Sequence, residues 1–177
     1  MKVIKAKTAG FCFGVKRAVD TVYKQVDTKC GQIYTYGPII HNEEVIKDMR
    51  DKGVIVLRSE EDLDMISQGT VIIRSHGVEK RIYEKIEQKG LRIVDATCPF
   101  VKKIHNIVSE KSGEGFHIII IGNPEHPEVV GIKGWAKDNV TVIQSAEDAE
   151  CFTADRKEKI CIVSPVSYTH LTLPTIA

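Results

Sequence analysis

Two cysteines and three histidines stand in matching surroundings. Cys12 lies in Gly10-Phe11-Cys12-Phe13-Gly14, and Cys98 in Asp95-Ala96-Thr97-Cys98-Pro99. His41-Asn42, Ser75-His76-Gly77 and His126-Pro127-Glu128 each close another apolar run. Thiolates hold soft metals and move electrons, and imidazoles hold metals, phosphates or protons. Five such groups at the ends of apolar runs suggest one polar, redox-capable site.

The local motifs sharpen that expectation. Proline is favoured at the first helical position, so Pro99 and Pro127 make Cys98 and His126 the expected N-caps. A sulfur at such a position meets free N–H groups and the positive helix end, which favour a thiolate. An imidazole there can donate to a phosphate that the same helix end attracts. Gly10 and Gly14 let something bulky approach the backbone around Cys12. His126 and Glu128 share a first helical turn and form a natural proton-delivery pair. Each residue also has a plainer reading. Cys12 and Cys98 could be small buried hydrophobes. His41 and His76 could be turn residues, and Glu128 a first-turn acid favoured by the helix dipole. Thr97 could orient a ligand hydroxyl or simply end a strand. Cys161 reads as core, and Cys30 and Cys151 show no partner pattern. His105, His117 and Trp135 read as structural.

The elements that must position these residues alternate along the chain. Val3-Ile4 begins an expected strand leading into Cys12, after which Val15, Ala18, Val19, Val22 and Val26 recur at helical spacing. Further strands are expected at Ile33 to Tyr36, Val54 to Leu57, Val71 to Ile73, Leu91 to Val94, Ile118 to Ile121, Val140 to Ile143 and Ile160 to Val163. Between them lie helices marked by Val45, Ile46 and Met49, by Val78, Ile82 and Ile86, by Val101, Ile104 and Val108, and by Val129, Ile132 and Ala136. Asn42 is an expected N-cap, Gly53 a stop, and Ser145-x-x-Asp148 a capping box. Alternation of this kind implies parallel sheets in an α/β fold. In such folds ligands bind beyond the carboxyl ends of the strands, where all five residues fall. Ser112 to Gly115 reads as a hinge-like turn, and a domain boundary near Asp95 to Thr97 is equally tenable.

Composition removes other classes. The 177 residues are 42% hydrophobic and 28% charged, with a net charge of +1. That balance fits a globular protein and argues against a general nucleic-acid binder. The lysine-rich start is no signal peptide, and no stretch approaches the roughly 20 apolar residues of a membrane span. The expected location is the cytoplasm. Five cysteines then read as thiols, ligands or catalytic groups rather than disulfides, and neither zinc-finger spacing nor a C-x-x-C pair occurs.

With these residues in hand, the chain resembles the 4-hydroxy-3-methylbut-2-enyl diphosphate reductase family of the non-mevalonate isoprenoid route. The match rests on Gly10 to Val15, His41-Asn42, Ser75-His76-Gly77, Asp95 to Pro99 and His126-Pro127-Glu128, and runs to about Ser164. The resemblance implies three similar small α/β domains, with mostly parallel sheets, around a [4Fe-4S] cluster. Residues 1–97 and 98–164 would be the first domain and an incomplete second, with the third missing. Cys12 and Cys98 would be two of three cysteine ligands, the third being absent from this chain, and the fourth iron would meet the substrate's hydroxyl oxygen. His41, His76 and His126 would hold the diphosphate, and Glu128 would help deliver a proton. The reaction implied is reductive removal of that hydroxyl, giving isopentenyl and dimethylallyl diphosphates, with ferredoxin or flavodoxin as electron donor. After Ser164 the family has Gln-Thr-Thr, whereas this chain reads Pro165 to Ala177, a tail expected to be artefactual or disordered. On that reading the chain is an inactive fragment. Two alternatives stay open: a diphosphate-binding α/β module without catalysis, and a redox sensor in which Cys12 and Cys98 pair.

Overall fold

The computed structural model describes residues 3–4, 7, 9–28, 31–155 and 157–168. Cys30, Arg156 and the tail from Thr169 onward lie outside them. Helix α1 (Phe13–Thr28) comes first, then β1 (Ile33–Tyr36), α2 (Glu43–Asp51), β2 (Ile55–Leu57), α3 (Glu60–Asp64), β3 (Thr70–Ile73), α4 (Lys80–Gln88) and β4 (Arg92–Asp95). Helix α5 (Pro99–Gly113) leads to β5 (His117–Ile121), α6 (Pro127–Lys133), β6 (Val140–Ile143), α7 (Ala146–Cys151), β7 (Ile160–Val163) and a 3₁₀ turn at Val166–Tyr168.

Both sheets are wholly parallel. The first has the order β2-β1-β3-β4 and the second β6-β5-β7. Helices cover both faces of the first sheet, as the period of two along β3 requires. Ile72 joins Ala18, Val19, Val22 and Met49 on one side, while Val71 and Ile73 join Leu63, Ile82 and Ile86 on the other. In the second sheet Ile118 and Ile120 pack with Val108, Val129 and Ile132. Helix α5 directly follows β4 and packs on β5 and β7, so the Ser112–Gly115 turn lies inside the second α/β layer. Among the described residues no helix is long and apolar enough to cross a membrane.

Caps set the helix ends. Asn42 accepts from the Val45 N–H at 3.1 Å, and Gly53, at φ +88°, ends the turn after α2. Ser145 and Asp148 form a complete capping box for α7. Ser59 caps the short α3, which the apolar pattern did not announce because only Leu63 among its residues is buried. The expected strand at Val3-Ile4 is not formed. Both residues are coil and about 80% exposed. Two apolar residues among lysines gain nothing from an extended backbone unless a sheet edge receives them, and neither sheet does. At the other end Pro165 is buried beside Gly122, and the Tyr168 hydroxyl accepts from the Asn123 N–H at 3.2 Å.

Each sheet has a topological switch point, where connections leave in opposite directions and open a crevice at the carboxyl ends. In the first sheet it lies between β1 and β3, and in the second between β5 and β7. The loops after β1 and β3 carry His41 and His76, and the loop after β5 carries His126.

Candidate functional site

Ser75, in the loop after β3, stitches that loop to the one after β1 and to the turn after β4. Its N–H and its hydroxyl both donate to the Ile39 carbonyl, at 3.4 and 3.0 Å, and its carbonyl accepts from the Cys98 N–H at 2.9 Å. Ile39 and Ile40 are buried and anchor the segment running to His41. The loop after β3 turns at Gly77, whose N–H donates to the Arg74 carbonyl at 3.0 Å and whose φ of +71° a side chain would resist. His41, His76 and Cys98 are therefore placed by one hydrogen-bonded corner.

The three imidazoles converge. His41 and His76 have ring centroids 5.0 Å apart, and His76 and His126 stand edge to face at 6.4 Å. Burial pushes the proton affinity of His76 down to a pKa of about 4, with help from the positive charges of Arg74, His41 and His126. His76 is thus neutral at pH 7, while an arriving anion would favour its charged form. His126 caps α6 with its ring: Nδ1 accepts from the Glu128 N–H at 3.2 Å. That bond leaves Nε2 as the donor of a neutral ring.

Glu128 is buried, with 6% of its surface exposed, and its Oε2 has no hydrogen-bond partner among the described residues. Burial holds its carboxyl above the usual range, partly offset by His126 and by hydrogen bonds from Ser167 and Val166. A carboxyl so placed retains a proton more readily than an exposed one and can give it up to a group bound beside it.

Cys12 and Cys98 each immediately precede a helix, and both are free thiols. Their carbonyls accept the first helical bonds, from Lys16 and Lys102, both at 2.9 Å. Cys98 occupies the N-cap of α5, but its side chain caps nothing, so the sulfur keeps its donor capacity. Helix α1 is tied to the Cys98 turn by Arg17, which donates to the Thr97 carbonyl at 2.9 Å and the Asp95 carbonyl at 3.3 Å. Among the described residues no three His, Cys, Asp or Glu side chains form a group able to hold a metal ion. Two thiols are fewer than an iron–sulfur cluster requires of its protein. The donor set present fits such a group only in part.

His105 and Trp135, read from the sequence as structural, support the site from beneath, and what the sequence did not show is which elements they join. His105 is buried under it, stacked on Trp135 at 5.3 Å, and a Cβ added to Gly77 would come within 2.5 Å of its Cε1. Trp135 donates to the Val78 carbonyl at 2.9 Å and so ties α6 to the loop after β3, bringing His126 to His76. Thr97 is buried, with Oγ1 3.2 Å from the Tyr83 hydroxyl. The polar atoms of His105 on the mostly apolar buried stripe of α5, and of Trp135 just after α6, were the available signal.

The family model described as LytB protein matches residues 3–172. The 4-hydroxy-3-methylbut-2-enyl diphosphate reductase of Caldanaerobacter subterraneus subsp. tengcongensis is 47% identical over 165 residues, covering 93% of this chain and 57% of its own length. That of Thermoanaerobacter sp. (strain X514) is 48% identical over 166 residues, with the same coverage of 93% and 57%. Among solved structures, the E-1-hydroxy-2-methyl-but-2-enyl-4-diphosphate reductase from Plasmodium falciparum superposes with a TM-score of 0.85 at 29% identity, covering 96% of this chain and 54% of that one. A second, described as the terminal enzyme of the non-mevalonate pathway, gives 0.76 at 35% identity, covering 98% and 63%. The chain thus spans a little over half the length of these two curated relatives.

Proposed function

The chain belongs to the LytB family, and from that premise we propose that it carries most of the diphosphate-binding half of a 4-hydroxy-3-methylbut-2-enyl diphosphate reductase. The observation that supports this best is the convergence of His41, His76 and His126 from three strand ends beside the buried Glu128. A diphosphate needs several N–H donors and gains from cationic ones. Three imidazoles at two sheet crevices supply convergent N–H donors for such an anion.

In the reaction proposed, the hydroxyl of the substrate is removed reductively, giving isopentenyl and dimethylallyl diphosphates. Hydroxide is a poor leaving group, and a proton from Glu128 lets it depart as water. His126 fixes Glu128 at the helix start through the 3.2 Å backbone bond. A [4Fe-4S] cluster, with ferredoxin or flavodoxin as donor, would supply electrons and Lewis acidity in this reading. Cys12 and Cys98 would provide two of its thiolates. In this proposal the two thiolates hold that group only in part, and the 177-residue chain is expected to bind diphosphate without turning over. The division into domains at residues 1–97 and 98–164, with the tail from Pro165, belongs to the same proposal.

A second reading is a diphosphate-binding module without catalysis, which fits the finding that among the described residues no three His, Cys, Asp or Glu side chains form a group able to hold a metal ion. Calorimetric titration with inorganic diphosphate, followed by anaerobic iron–sulfur reconstitution and a dithionite-driven assay, separates the outcomes. Binding that is lost in His76→Ala, with no product formed, is expected. Full binding in His76→Ala would sink the assignment of the imidazoles. Turnover by this chain would sink the claim that it is inactive.

A further inference from the structure

A cavity of about 620 Å³ opens beyond the carboxyl ends of β1 and β2, and none of the three imidazoles lines it. Its volume is in the range of small-molecule sites. Lys47 and Arg50 reach it from α2, Arg58 from the end of β2 and Arg74 from the end of β3, facing Glu43 and Glu44 of the first turn of α2. Ile46 and Val56 supply an apolar wall.

Several cations elsewhere in the fold are held in ion pairs. Arg81 pairs with Glu60 and Glu79, Lys85 with Asp64, and Lys102 with Asp95. Among the described residues, none of the six charged groups lining the cavity forms an ion pair with another side chain. Three of the cations are exposed and need no partner, but Arg74 is half-buried. Its guanidinium lies so close to Gly37 that a Cβ there would stand 2.6 Å from Nη1. Its hydrogen bond to protein is a long one, Nε to the Gly77 carbonyl at 3.4 Å. Burial works against its charge, and no carboxylate offsets that cost. A guanidinium held in a cavity wall with unused donors is suited to a planar or tetrahedral oxyanion.

Four cations against two carboxylates leave two positive charges in excess. A phosphate monoester carries a charge of roughly −1.5 to −2 at pH 7 and three acceptor oxygens. We infer that this cavity is a second anion site, separate from the imidazole trio, which takes a small phosphate monoester bearing an apolar group. The phosphate meets Arg74 and Arg58, and the apolar group lies against Ile46 and Val56. The inference does not depend on what the imidazoles bind.

The test is calorimetric titration of the 177-residue chain with n-butyl phosphate, with inorganic phosphate as comparison. Binding is expected, several-fold tighter for the butyl ester because of the apolar wall. The double variant Arg50→Ala/Arg58→Ala, altered only at exposed positions, should bind about tenfold more weakly or worse, as loss of charge-assisted hydrogen bonds implies. Arg74→Gln should do the same. His41→Ala/His126→Ala should retain the affinity within about twofold while losing inorganic diphosphate, since the two groups of residues do not touch one ligand. Unchanged affinity in Arg50→Ala/Arg58→Ala overturns the inference, as does absence of binding by the unaltered chain at millimolar ester. Loss of the ester in the histidine variant alone places it at the trio and overturns the inference too. Failure of diphosphate binding in the unaltered chain, with the ester still bound at the arginines, would sink the reading of the trio and leave this one standing.

Discussion

Gly14 lies so close to Cys98 that a Cβ on residue 14 would stand 2.6 Å from the Sγ atom and 3.1 Å from Cys98 Cβ. The first turn of α1 is thereby pressed against the turn that opens α5. Residues 84 positions apart in sequence bring the two site cysteines to neighbouring turns. Gly14→Ala is expected to push the Cys98 side chain from its place, at a cost of about 1–3 kcal/mol for overpacking. Urea unfolding should show a lower midpoint, and alkylation of Cys98 should accelerate. Unchanged stability with unchanged alkylation would show that the two turns are not in contact.

Arg17 holds the same junction by hydrogen bonds. Its guanidinium satisfies the Thr97 and Asp95 carbonyls, and both bonds are partly buried. Arg17→Met keeps much of the stem but leaves the carbonyls without this donor, which costs about 1–3 kcal/mol. The expected consequence is local: amide exchange in α1 should accelerate well before that in β3. Uniform acceleration across both sheets would instead mark Arg17 as a general stabiliser with no special hold on α1.

The apolar periods of the chain were enough to find all seven described strands and most of the helices, and the strands covered on both faces read as unbroken β-branched runs. Ile118 to Ile120 is the clearest case, with all three residues buried. The same reasoning overreached at Val3-Ile4, since a strand needs a neighbour and a two-residue run cannot name one. The loop-borne residues were legible through their punctuation: Pro99 and Pro127 did place Cys98 and His126 at helix N-caps. What no pattern reveals is contact across the sheets. Neither the Arg17 clamp, nor Ser75 as the shared corner, nor Arg74 lying against Gly37 leaves a period in the sequence. Each depends on where separate loops end in space.

Acid should destabilise the fold through two histidines. His76 and His105 both have pKa values pushed from the ordinary 6.5 to about 4, in each case chiefly by burial. Between those pH values the unfolded chain binds protons that the folded one does not. Stability is therefore complete above pH 6.5 and falls as the pH drops toward 4, by up to roughly 3 kcal/mol for each group. His105→Phe keeps a ring stacked on Trp135 and removes the unpartnered Nε2. It should leave stability at pH 7 unchanged or higher, and should reduce the loss between pH 6.5 and 4 by about half, His76 supplying the rest. Denaturant melts at four pH values decide it, and an undiminished loss in the variant would remove His105 from the account.

Diphosphate binding should draw protons in. The free His76 ring is neutral at pH 7 because burial disfavours its charge and because Arg74, His41 and His126 add repulsion. An anion placed beside His76 reverses the electrostatic part of that effect and raises the proton affinity of its ring. By linkage, a ligand that favours the protonated form binds more tightly as protons become available, so affinity should rise as the pH falls from 8 to 6. Arg74 remains positive throughout and sets a limit to the gain at His76. Calorimetry in two buffers of different ionisation enthalpy measures the uptake directly. A net release of protons, or an affinity flat across that range, would mean that the anion is held by N–H donors whose charge it does not change.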